Sequence, residues 1–195
     1  MSLHGRPARP KPEAPDAELL RDVAGGDPRA LGALYDRYAL DVWRVVHRTL
    51  GHGADSDDVV HATFLNLPRI APSYDGRTSC RNWLRGIAVR LALRHRRGAG
   101  RFRRMLESLG HAAGTKSNPA HPEREASDNE QLRILERALG RLDAKKRATF
   151  VLVELEGLTT EEAARALEVP AATVRTRLFN ARRALRTALG QGGPT

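Results

Sequence analysis

The sequence predicts an all-α protein made of two small helical domains joined by a flexible linker. Three observations carry that expectation. Apolar residues recur at three- and four-residue intervals along most of the chain, the spacing of an amphipathic helix. No segment sustains the period-two alternation of a half-buried strand. Capping residues stand at the heads of periodic runs, as in Asp27-Pro28 and in Thr159 with Glu162.

The elements follow in order. Residues 1–18 are Pro-rich and polar, lack periodicity, and read as a disordered tail. Asp27 is placed to cap a helix with Pro28 at its first position, and Leu31, Leu34, Tyr35, Tyr38, Val42, Val45, Val46 and Leu50 follow at helical spacing. Gly51 and Gly53 stop that helix. Ser56 is expected to cap the next, with Asp57 and Asp58 in its first turn, where the helix dipole favours negative charge. Val59, Val60, Thr63, Phe64 and Leu67 give it an apolar face, and Pro68 ends it. Residues 71–79 read as a loop. A third helix is expected from Cys80 to Arg97, with Trp83, Leu84, Ile87, Ala88 and Leu91 inward. This completes a first domain over residues 19–97.

Gly98, Gly100, Gly110 and Gly114, then a polar stretch with two prolines, mark residues 98–127 as a linker, with a helical turn near Phe102 to Leu109. A second domain spans residues 128–190, and residues 191–195 form a tail. Its stripes are Leu132, Leu135, Leu139 and Leu142, then Ala148, Leu152 and Leu155. Each domain is expected to bury one modest core of its own.

Charge narrows the partners. The 195 residues carry 33 Lys and Arg against 23 Asp and Glu, a net charge of +10. Such an excess favours nucleic acid or an anionic surface. No apolar run approaches the roughly 18 residues of a membrane span, and the start of the chain does not read as a signal peptide. The single cysteine, Cys80, excludes an intramolecular disulfide and a multi-cysteine zinc site. A cytoplasmic, nucleic-acid-binding protein without membrane insertion is the expectation. Nine arginines and no acid lie between Arg81 and Arg104, and a second basic block lies in the last helix. The separation of the two blocks suggests two contacts on one long ligand.

Residues 159–189 have the grammar of a helix-turn-helix: a capping box, a short turn with Pro170, then an Arg-rich helix without acids. Val174, Leu178, Ala181 and Leu185 form its buried stripe. Arg175, Thr176, Phe179, Asn180 and Arg183 fall on the opposite arc. Arg can donate to guanine, Asn can pair with adenine, and Thr or Phe can touch a thymine methyl. In the first domain Tyr74, Arg77, Arg81 and Arg85 place an aromatic and three cations within a short stretch, the groups that capture of a single strand would need.

Taken together, the two halves resemble a sigma-70 family RNA polymerase sigma factor of the extracytoplasmic-function (ECF) group. LYDRYALDVWRVVHRTLG, DSDDVVHATFLNL and RNWLRGIAVRLALRHRR resemble sigma region 2, and residues 139–185 resemble region 4. The resemblance implies a factor that binds core RNA polymerase through the β′ clamp helices and the β flap, and directs it to promoter DNA. It implies melting of the −10 element by region 2, with Tyr74, Arg77, Arg81, Asn82 and Arg85 near the melted strand. It implies −35 reading by Arg175, Thr176, Phe179, Asn180 and Arg183. Asp57, Asp58 and His61 would lie on the clamp-contacting surface. Such factors are commonly restrained by an anti-sigma protein. His61 stands where the family usually has Gln, Arg94 where it usually has Asp, and Asn180 where Arg is common in the reading helix.

Two other classes compete. A stand-alone helix-turn-helix regulator accounts for the second half but not the first. A metal-dependent hydrolase built on His47, His52 and His61 with Asp55, Asp57 and Asp58 fits no standard ligand spacing. The sequence holds no Gly-rich phosphate loop and no nucleophile triad, so neither an enzyme nor a cofactor or metal is expected.

Overall fold

The computed structural model describes residues 14–51, 56–108 and 130–190. Among these residues every regular element is helical.

The first helix, α1 (Asp16–Ala24), begins inside the expected tail. It buries Leu19, Leu20 and Val23. Nine residues with three large apolar ones among charges and alanines are too few to show a period, so the pattern hid it. Asp16 anchors it: its carboxylate accepts from Arg37 and, at 2.6 Å, from the Tyr38 hydroxyl. Both partners lie on α2 (Pro28–Leu50), which starts as expected, with Asp27 accepting from the Arg29 amide. It ends at Gly51, whose φ of 93° a side chain would strain.

Ser56 is not the cap it was expected to be. It is the first residue of α3 (Ser56–Leu65), and its hydroxyl is buried without a hydrogen-bond partner among the described residues. Pro68 sits in the first turn of a short helix, α4 (Leu67–Ile70), and a 3-10 turn covers Ala71–Ser73, so the expected loop is partly helical. The long helix α5 (Cys80–Ser108) runs past the expected end at Arg97 and through Gly98 and Gly100. A helical glycine costs about 1 kcal/mol relative to alanine, but the residues after it (Arg, Met, Leu, Glu) are strong helix formers. Residues 109–127 of the expected linker, the tail to residue 13 and residues 191–195 lie outside the described residues.

The second half holds α6 (Glu130–Gly140), α7 (Ala144–Phe150) running into a π-helical turn (Val151–Leu155), α8 (Thr160–Leu167) and α9 (Ala171–Gly190). Asp143 caps α7 by accepting from the Lys145 and Lys146 amides.

The two halves do not keep separate cores. Ala148, Val151, Leu152, Leu158, Ala163, Ala164, Leu167 and Val174 join the cluster formed by α1, α2, α3 and α5. Among the described residues, Ala138, Leu139, Leu142, Ala181 and Leu185 form a satellite core of the second half. Small residues make the merger possible. A Cβ on Gly86 of α5 would lie 2.8 Å from the Cβ of Ala166 of α8, so the two helices meet almost backbone to backbone.

Candidate nucleic-acid and polymerase interface

The helix-turn-helix is assembled as its residues dictate. Thr159 accepts from the Glu162 amide, and Glu162 reaches back to the Thr159 amide at 2.9 Å. Glu168 closes α8 in the left-handed region at φ 55°, and the Val169 amide returns to the Ala164 carbonyl. Pro170 then starts α9, its carbonyl accepting from the Thr173 and Val174 amides. Val174, Leu178, Ala181 and Leu185 are all buried. Arg175, Thr176 and Arg183 are exposed, Asn180 is half-buried, and Phe179 is 59% exposed. Phe179 belongs to neither buried cluster, and α9 presents it with the other four as one outward arc.

The Glu162 carboxyl is held below its ordinary value, first by the hydrogen bond from the Thr159 amide, with Thr78 adding to it; burial opposes the shift. With the folded value below the unfolded one, this contribution to stability is complete above the ordinary carboxylate range. It is lost as pH falls through the folded value. Glu162→Gln keeps an acceptor for the cap, so it is expected to flatten the loss of stability below about pH 4.3. Urea midpoints measured against pH check this.

The expected strand-binding residues come together where α5 begins. Tyr74 packs on Trp83 with ring centroids 5.2 Å apart, and its hydroxyl donates to the Thr78 carbonyl at 2.8 Å. Trp83 is only partly buried against the core, less than its expected inward position. Arg77 is exposed and pairs with Asp75 at 3.3 Å. Arg81 is exposed and pairs with Asp41 at 2.8 Å. Asn82 accepts from Arg85 at 3.3 Å. Arg85 differs from the other four: its side chain is 11% exposed and pairs with Glu156 at 2.8 Å and Asp41 at 3.5 Å. The structure thus holds Arg85 against the second half of the chain, and Asn82 also hydrogen-bonds Glu162 there.

Sequence reasoning missed Glu156 and Arg147, both at this junction. The Glu156 side chain, 5% exposed, also accepts from Arg48 at 2.8 Å. Arg147, 4% exposed, donates to the Arg48 carbonyl at the end of α2 and sits against Gly51. A cation there meets the negative end of the helix dipole. Glu156 follows Glu154 by two residues and Arg147 directly follows Lys145 and Lys146, so neither stands out from its charged neighbours in the sequence. The two basic blocks, expected to stand apart, also meet: Arg94 and Arg97 of α5 line a groove of about 320 Å³ with Lys145 and Arg177.

On α3, Asp58 and His61 are exposed and Asp57 is half-buried. His61 stacks on Tyr35 with centroids 6.3 Å apart. Leu65, one turn beyond His61, is 76% exposed, which extends this surface with an apolar residue the sequence did not single out. Burial pushes the Cys80 thiol up to about 12, so it is an inert core residue. Among the described residues no group of three or more His, Cys, Asp or Glu is placed to hold a metal ion, and no helix is long and apolar enough to cross a membrane. His52 and Asp55 lie outside the described residues.

Comparison with known proteins matches both halves. The family described as Sigma-70 region 2 matches residues 34–102, and Sigma-70 region 4 matches residues 132–185. An ECF RNA polymerase sigma-E factor from Haemophilus influenzae is 31% identical over 173 residues, covering 86% of this chain and 91% of the relative. Among solved structures, CnrH in complex with the cytosolic domain of CnrY is similar at 25% identity and a TM-score of 0.62, covering 91% of this chain and 99% of that one. The sigma factor RpoE in complex with the anti-sigma factor NepR from Bartonella quintana shares the fold at 22% identity and a TM-score of 0.61, covering 78% of this chain and 91% of that one. With both sigma regions present in order and near-complete coverage of a relative, this chain belongs to the ECF group of the sigma-70 family of RNA polymerase sigma factors.

Proposed function

We propose that this sigma factor assembles with core RNA polymerase in the cytoplasm and reads promoters through the two surfaces described above. The observation that carries the reading is the outward arc of α9, where Arg175, Thr176, Phe179, Asn180 and Arg183 stand over a fully buried stripe. In this reading the arc enters the major groove of the −35 element. Tyr74, Arg77, Arg81, Asn82 and Arg85 hold the melted −10 strand through stacking and phosphate contacts. Asp57, Asp58 and His61, with Leu65 beside them, meet the β′ clamp helices, and the second half sits on the β flap. The chemistry of RNA synthesis belongs to the polymerase, and this chain contributes no catalytic group, cofactor or metal. Both matched structures are complexes with a second protein, one of them an anti-sigma factor, which supports restraint of this chain by such a partner.

Run-off transcription with purified core polymerase on fragments of the source genome tests the reading. Discrete transcripts that depend on this chain support it, and their absence together with failure to co-purify with core polymerase sinks it. Asp58→Arg is expected to weaken assembly with core polymerase by about tenfold or more, ~1.4 kcal/mol, while leaving the helical circular dichroism intact. Unchanged pull-down of core enzyme by that variant would remove α3 from the contact.

A further inference from the structure

Cations from both halves of the chain converge on one groove, and most of them meet no acid there. Arg90, Arg94 and Arg97 follow at four and three residues, so α5 puts them on one face. They line the groove of about 320 Å³ with Lys145 of α7, Arg177 of α9 and Glu168 at the end of α8. That single acid is already engaged: Glu168 pairs with Arg90 at 3.4 Å. Among the described residues, the side chains of Arg94, Arg97, Lys145 and Arg177 form no ion pair or hydrogen bond. The Arg90 guanidinium is held below its ordinary value, first by burial, with the Arg94 charge adding to the shift and Glu168 opposing it. Like charges therefore press on one another here, and an anion in the groove would relieve them.

The donor set and the size of the groove narrow the anion. An arginine fork binds two phosphate oxygens at once, and a lysine ammonium adds a point charge, so no Gly-rich loop is needed. A groove of about 320 Å³ lies at the small end of ligand sites, which run to roughly 1,000 Å³, and is too small for a duplex. Arg90 and Arg94 also line a neighbouring hollow of about 320 Å³, which carries Trp83, Ile87 and Leu91 with Asn66. We propose that the cationic groove binds a small ligand with two or more linked phosphates, held between α5 on one side and α7 and α9 on the other. Two sources carry that chemistry, a nucleoside di- or triphosphate and a free oligophosphate. The neighbouring hollow offers the base of the first an aromatic and apolar walls. Because the cations come from both halves, a bound ligand ties α5 to α7 and α9, and this arrangement becomes sensitive to the ligand's concentration. Neither Lys145 nor Arg177 belongs to the surfaces assigned to promoter DNA above, so the site can be altered without touching them.

Isothermal titration calorimetry on the full chain tests the site, with sodium tripolyphosphate, ATP and, as a single-phosphate control, AMP, at about 0.15 M salt. Tripolyphosphate and ATP are expected to bind at one site per chain, and AMP at least about tenfold more weakly than ATP. Lys145→Gln combined with Arg177→Gln is expected to weaken tripolyphosphate about tenfold or more. Arg141→Gln combined with Arg186→Gln removes the same charge from exposed positions outside the groove. That pair is expected to leave the affinity within about twofold, since distant exposed charges are screened at this salt. Helical circular dichroism confirms that each variant is folded, and Lys145→Gln alone is read where the pair is not. Tighter binding of ATP than of tripolyphosphate places the base in the hollow beside Trp83 and identifies a nucleoside polyphosphate. Equal or tighter binding of tripolyphosphate identifies a free oligophosphate in the same groove. Absence of saturable binding overturns the site, and so does an equal loss from the two pairs of substitutions, which would reduce it to the overall charge of the chain. No readout involves polymerase, so failure here leaves the sigma-factor reading to the run-off test.

Discussion

Leu152→Ala is expected to destabilise the whole chain by about 2–5 kcal/mol, the range for truncating a fully buried leucine. Leu152 is 0% exposed, in the π-helical turn that carries region 4 into the core shared with region 2. Its neighbours belong to helices from both halves, so the cavity cannot collapse by a shift of one element. The two tryptophans, Trp43 and Trp83, both lie in region 2. If the core is shared, urea unfolding followed by tryptophan fluorescence and by far-ultraviolet circular dichroism should shift together when a region 4 leucine is truncated. A fluorescence transition that stays at the wild-type midpoint while part of the dichroism moves would show that the halves unfold independently.

Most of the helices, the capping box and the outward placement of the α9 arc were legible in the sequence because each depends on local rules. Asp27-Pro28, Thr159 with Glu162, and the Val174, Leu178, Ala181, Leu185 stripe announce themselves by spacing alone. What was illegible depends on tertiary partners. The helix α1 is too short to show a period, and its anchor, Asp16, becomes meaningful only beside Arg37 and Tyr38. The run of α5 through two glycines defies a local breaker rule. Glu156, two residues after Glu154, reads as an ordinary surface acid until Arg48 and Arg85 arrive from two other helices. Gly86 reads as a weak point in a helix, and its reason is Ala166, 80 positions away in the chain but in contact in space. The merger of the two cores follows from the same contacts, so periodicity could place the faces of α5 and α8 without saying that they meet.

Arg175→Ala and Asn180→Ala are each expected to cost about 1–3 kcal/mol of discrimination between the preferred −35 sequence and single-base variants, roughly 5- to 150-fold. The reason is geometric. Both side chains leave the outward arc of α9, on the face opposite Val174, Leu178, Ala181 and Leu185, so truncating them leaves that buried stripe intact and removes what they present to DNA. A phosphate contact should behave differently. Arg97 is exposed on α5 and lines the basic groove, so Arg97→Ala should weaken binding to all sequences together and lower the salt dependence by about one charge. Holoenzyme titrations on a set of −35 variants at two salt concentrations separate the two behaviours, because base reading appears as a ratio between sequences and phosphate binding as a slope against salt. Equal ratios for wild type, Arg175→Ala and Asn180→Ala would move base reading away from these two side chains. Phe179 would then be the next residue to test, since 59% exposure of an aromatic on a cationic helix face calls for an apolar ligand such as the thymine methyl.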